Sequence, residues 1–143
     1  MSFANVLKDL IQENGISIKN LSASTGIKLS TIYFYFERDT LPDVEHAIKL
    51  CKYFDCSINY LIGRDDDIKL RWTNDKINFI DSYNFLLAKN ETSNYSVCNK
   101  LGLNRNSIYN WRTGQTPKMI TLIQLADFFD TSVDFLLGLV NNE

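Results

Sequence analysis

The chain has 143 residues, 45% of them hydrophobic and 22% charged, a composition typical of folded rather than disordered proteins. Its longest apolar runs, such as Phe135-Leu136-Leu137, fall far short of a membrane span. Asn5, Lys8 and Asp9 give the N-terminus a helical rather than a signal-peptide pattern, so the expected setting is the cytoplasm, with no membrane contact. The net charge of −2 and pI of about 5.4 are not the basic footprint of a nucleic-acid binder, so any such role must rest on how the charges are distributed.

In chain order, Phe3, Val6, Leu7, Leu10 and Ile11 recur at i, i+3, i+4 spacing. This predicts an amphipathic helix over 3–14 that Asn14-Gly15 ends. Ser17 is a good N-cap for a second helix that carries Leu21 and runs to Thr25. Gly26 permits the left-handed backbone of a sharp turn, and a third helix follows from Lys28 to about Phe36 with Ile32 and Tyr35 inward. Pro42-Asp43 starts a fourth, with Ala47, Ile48, Cys51 and Phe54 on one side. Ser57 caps a short fifth that ends near Leu61, closed by Gly63.

The pattern is then written again. A shift of 76 pairs Phe3 with Phe79, Leu10 with Leu86, Ser17 with Ser93, Gly26 with Gly102 and Ile32 with Ile108. A shift of 75 pairs Pro42 with Pro117, Phe54 with Phe129, Ser57 with Ser132 and Gly63 with Gly138. A one-residue change in a surface loop costs little. The expectation is an all-α chain of two five-helix copies, 1–64 and 74–143, joined by a linker over 65–73. Nine or ten extended residues reach roughly 30 Å, close to the roughly 34 Å between DNA half-sites one turn apart. Ile68, Leu70 and Trp72 alternate, however, and packing of this segment onto one copy is the other reading.

The second copy carries the most informative stretch, Gly102 to Pro117. A helix from Ser93 to Leu101, a glycine turn and a second short helix make a helix-turn-helix, whose second helix can lie in a DNA major groove. Leu103, Ile108 and Trp111 are expected to face a core. Arg105, Asn106, Ser107 and Asn110 then point outward, with side chains able to hydrogen-bond base edges. Arg112, Lys100 and Lys118 are expected to contact phosphates, positioning the helix without reading sequence. Tyr109 and Tyr33 share a position beside the outward face, where a phosphate contact and plain exposure are both open.

Cys51, Cys56 and Cys98 are an odd set on apolar faces and read as reduced packing residues. His46, Cys51 and Cys56 are spaced by five, which does not stack them on one helix face, so no metal site is expected. One histidine, no glycine-rich phosphate loop and no nucleophile motif argue against an enzyme. Neither a catalytic residue nor a cofactor is expected.

The five-helix pattern resembles the Cro/repressor-type (XRE-like) helix-turn-helix family of phage and bacterial regulators. The resemblance is carried by Ser17, Leu21, Gly26-Ile27, Ser30-Thr31-Ile32 and the closing runs Leu50–Gly63 and Leu125–Gly138. It implies two tandem lambda-repressor-like DNA-binding domains acting as a transcriptional regulator, a repressor for preference, on double-stranded DNA. The family's base-contacting positions fall on Arg105, Asn106, Ser107 and Asn110, and in the first copy on Leu29, Ser30, Thr31 and Phe34.

The family's polar residue at the start of the second motif helix, which helps hold a phosphate, is matched by Asn94. The first copy has Ile18 there and offers Lys19 and Lys28 as phosphate contacts instead. Glu37, Asp39, Asp43 and Glu45 follow closely and would repel phosphates, whereas Leu29 and Phe34 can touch thymine methyls. The first copy therefore reads either as a DNA reader or as a homodimer or protein-docking surface. The alternative for the whole chain is a protein-interaction module of antirepressor or antitoxin type.

Overall fold

The computed structural model describes residues 2–68 and 72–141. The chain divides into two units, Met1–Arg71 and Trp72–Glu143. Among the described residues every regular element is a helix.

The first unit contains α1 (Phe3–Glu13), α2 (Ile18–Thr25), α3 (Leu29–Arg38), α4 (Val44–Phe54) and α5 (Ile58–Leu61). Four of these starts have a side-chain oxygen accepting a backbone N–H three residues on: Ser2 for Asn5, Ser17 for Asn20, Asp43 for His46 and Ser57 for Tyr60. α1 packs on α3 and α5, and α2 packs on α3 and α4. Phe3, Leu7, Leu10, Leu21, Ile32 and Leu50 fill the space between them. The stripe expected on α1 is buried except for Ile11, which is half-buried at the edge of that face.

The second unit contains α6 (Phe79–Lys89), α7 (Asn94–Leu101), α8 (Arg105–Arg112), α9 (Met119–Phe129) and α10 (Val133–Leu136). Its helices start 76, 76, 76, 75 and 75 residues after α1 to α5 respectively, the same offsets as in the sequence comparison. Its core is more aromatic. The Trp111 ring meets Phe79 and Tyr83 edge-on at centroid distances of 5.1 and 5.3 Å, and Tyr83 meets Phe129 at 6.2 Å.

Thr73, read from sequence as the end of the linker, donates its N–H to Leu139 O at 2.8 Å. The Asn74 side chain donates to Gly138 O at 2.9 Å. Of the alternating residues, Ile68 is exposed and Trp72 half-buried, while Leu70 and the middle of the linker lie outside the described residues.

In the first unit, Tyr35 is buried against Phe3 and its hydroxyl lies 3.1 Å from His46 Nδ1. Burial, with a smaller contribution from Asp43, pushes its phenol up from 10.0 to about 12. A raised folded-state value means full stability below the unfolded value, lost as pH climbs through the folded one. Stability of the first unit, from urea melts followed by helical circular dichroism, should therefore be flat up to pH 10 and fall between there and pH 12, with Tyr35 contributing at most about 3 kcal/mol of the loss. A midpoint unchanged across that window would contradict the burial of this hydroxyl.

Candidate nucleic-acid interface

The second unit presents α7, a tight turn and α8. Ser93 caps α7 through the Ser96 N–H at 3.2 Å. Gly102 ends it in the left-handed region at φ 67°, where a side chain would be strained. Asn104 then caps α8, its Oδ1 accepting the Asn106 N–H at 2.9 Å. Because Asn104 starts the helix, Leu103 is not on its apolar stripe as expected. It sits in the turn, half-buried, with its N–H bonded to Cys98 O at 2.9 Å. Ile108 and Trp111 alone anchor α8 to the core, at 6% and 4% exposure.

With those two residues inward, the helical period turns the other side of α8 to solvent. Arg105 and Asn106 are exposed; Ser107 and Asn110 are half-buried at the margins of the outward face. Lys100, Arg112 and Lys118 are exposed as well, and among the described residues none of these cations, Arg105 included, is in an ion pair. Asn94, Tyr95, Cys98, Arg105, Tyr109 and Arg112, with Ile108, line an open depression of about 320 Å³ where α7 meets α8. No carboxylate lines it. The Arg105 guanidinium carbon lies 5.9 Å from the centre of the Tyr95 ring, within reach of a cation–π contact.

The corresponding surface of the first unit differs in kind. Ser30 and Phe34 of α3 are exposed, whereas Leu29 and Thr31 are half-buried. The Arg38 guanidinium lies 4.5 Å over the Phe34 ring. Lys19 and Lys28 are exposed, but so are Glu37, Asp39, Asp43 and Glu45, and Ile18 is half-buried where Asn94 stands in the second unit.

Residues 7–61 match the helix-turn-helix family. That interval lies within the first unit, from α1 through α5, and includes the α2–turn–α3 pair. A solved structure described as a transcriptional regulator from Listeria innocua is 26% identical, over 68% of this chain and 84% of that one, with a TM-score of 0.40. No curated protein matches the chain. The family match and the cationic face thus fall on different units: a helix-turn-helix match in the first, exposed cations on the equivalent helices of the second.

Two residues of the second helix-turn-helix escaped assignment from sequence. Tyr95 is 65% exposed beside Arg105, and Tyr109, left open above, is 67% exposed on the outward side of α8. An aromatic residue directly after the expected phosphate ligand was the available signal for Tyr95. No sequence rule places it next to Arg105, ten residues on.

Among the described residues no group of histidine, cysteine and acidic side chains is arranged to hold a metal. The three cysteines are buried and unbridged. No described helix is long and apolar enough to cross a membrane.

Proposed function

We propose that the chain is a sequence-specific DNA-binding regulator of transcription that acts in the cytoplasm, with α8 as its reading helix. The observation that carries this reading is the outward face of α8. Arg105, Asn106, Ser107 and Asn110 sit there between exposed cations that form no ion pair among the described residues. The helix-turn-helix match of residues 7–61 supports it from the other unit, whose helices begin at the same spacing.

The mechanism is binding without catalysis. Lys100, Arg112 and Lys118 meet phosphates and set the register of α8 in the major groove; Arg105 and the asparagines read base edges. Occupying a promoter-proximal site in this way is sufficient to exclude other proteins from it, so the regulator is read as a repressor of the phage or bacterial kind. An acidic protein can do this because phosphates feel the charges within about one Debye length, not the total.

A phosphate contact and a base contact are separable by salt. Lys118→Ala should weaken binding to all duplexes by a similar factor and lower the slope of log K against log salt by about one. Fluorescence anisotropy at several salt concentrations measures both. Unchanged affinity and slope for this variant and for the equivalent ones at Lys100 and Arg112 would contradict the orientation.

A second reading has one observation in its favour. Tyr33, Phe34, Leu41 and Tyr53 of the first unit are each 37–43% exposed, and the acidic residues near α3 are unfavourable to phosphates. The first unit would then dimerise or dock a protein of antirepressor or antitoxin type while the second holds DNA.

A further inference from the structure

We propose that the hydroxyl of Tyr83 is a positioning group that holds the Asn94 side chain so that its amide N–H, not its oxygen, faces a DNA phosphate in the depression between α7 and α8. The inference rests on the DNA-binding reading above and deepens it.

Tyr83 is fully buried in α6, and its hydroxyl donates to Asn94 Oδ1 at 2.7 Å. Asn94 is the first residue of α7 and lines the depression, whereas Tyr83 lies behind it. A carboxamide has one accepting and one donating end. With the oxygen engaged by the interior hydroxyl, what Asn94 offers outward is the NH₂ group, the end that can bind an anion. Burial of Tyr83 raises its phenol well above the ordinary range, so it keeps its proton and stays a donor at neutral pH.

The surroundings match one phosphate. Arg112 lines the same depression, and Asn94 stands at the N-terminus of an eight-residue helix, where the backbone dipole favours a negative charge. The first unit has neither member of the pair. Leu7 and Ile18 occupy the equivalent places, both apolar, and the unit's one buried tyrosine, Tyr35 of α3, has its hydroxyl 3.1 Å from His46 Nδ1 instead. Donor and amide are thus both present in one unit and both absent from the other.

The test measures anisotropy of a fluorescein-labelled duplex of random sequence with the full chain and with Tyr83→Phe, Asn94→Ala, Asn94→Asp and the Tyr83→Phe/Asn94→Ala double variant. Tyr83→Phe keeps the ring and its contacts with Phe79, Trp111 and Phe129. Both Tyr83→Phe and Asn94→Ala should weaken binding, by roughly five- to tenfold. The double variant should be no weaker than Asn94→Ala alone, because the hydroxyl acts only through the amide. Asn94→Asp can still accept from Tyr83 but offers no donor, so it should bind more weakly than Asn94→Ala. The salt slope should not move for the three uncharged variants, since no cation is removed.

Wild-type affinity in Tyr83→Phe, an equal further loss on the Asn94→Ala background, or undiminished binding by Asn94→Asp would each overturn the proposal and leave the DNA reading standing. Absence of binding by the unaltered chain would overturn both.

Discussion

Replacing Arg105 by alanine is expected to flatten the preference at one base position, with little effect on affinity for random DNA. Arg105 is the first residue of α8, is exposed, and is free of ion pairs among the described residues. Its guanidinium is within cation–π distance of Tyr95, a contact worth less than about 1 kcal/mol at an exposed site, so it biases the fork without trapping it. A bidentate contact to guanine discriminates by about 1–3 kcal/mol, roughly a five- to 150-fold ratio of dissociation constants. The measurement compares a preferred duplex with one changed at a single guanine, for the chain and for the variant. Arg105→Lys keeps the charge but not the planar fork and should lose most of the discrimination while retaining random-DNA affinity. Equal losses on preferred and random duplexes would place Arg105 among the phosphate contacts instead.

The second large effect is structural. Trp111 is one of the two inward residues of α8, 4% exposed and edge-on to both Phe79 and Tyr83. Truncation to alanine removes both aromatic contacts and leaves a cavity in a small core, at a cost of about 3–5 kcal/mol. Small domains have about 5–15 kcal/mol in total, so Trp111→Ala should take most of the second unit's stability and DNA binding with it. The first unit has its own core, centred on Phe3, Leu7 and Tyr35, and should keep its own transition. Urea melts followed by circular dichroism should separate into an early and an unshifted phase. Trp111→Phe, which retains a ring, should recover much of the loss. A single melt shifted as a whole would contradict the independence of the two cores.

These two residues also show what the sequence could and could not convey. The inward place of Trp111 followed from its alignment with Tyr35 and from the 3.6-residue period, which is local information. The helix starts were legible for the same reason: Ser17, Asp43, Ser57, Ser93 and Ser132 bond backbone N–H groups three residues away. Leu103 was misplaced because the asparagine cap at position 104 starts α8 after it and leaves it in the turn.

The polar contacts of the site were less accessible. The Tyr83–Asn94 bond joins residues eleven apart on two different helices, and Tyr95 meets Arg105 across the turn. No periodicity encodes either one; both depend on how α6, α7 and α8 pack. For the first unit the charge contrast was already visible in sequence, as Glu37 lies near the end of α3 and Asp39, Asp43 and Glu45 follow closely. Their common exposure, and the half-burial of Leu29 and Thr31, needed the structure.

The central claim, that the outward face of α8 reads bases, is tested most directly by sequencing the duplexes that the chain retains from a random pool. The account calls for an enriched site containing a guanine whose enrichment disappears when the pool is presented to the Arg105→Ala chain, while the other positions persist. Retained duplexes without any sequence preference, or the same guanine enriched by both proteins, would contradict it.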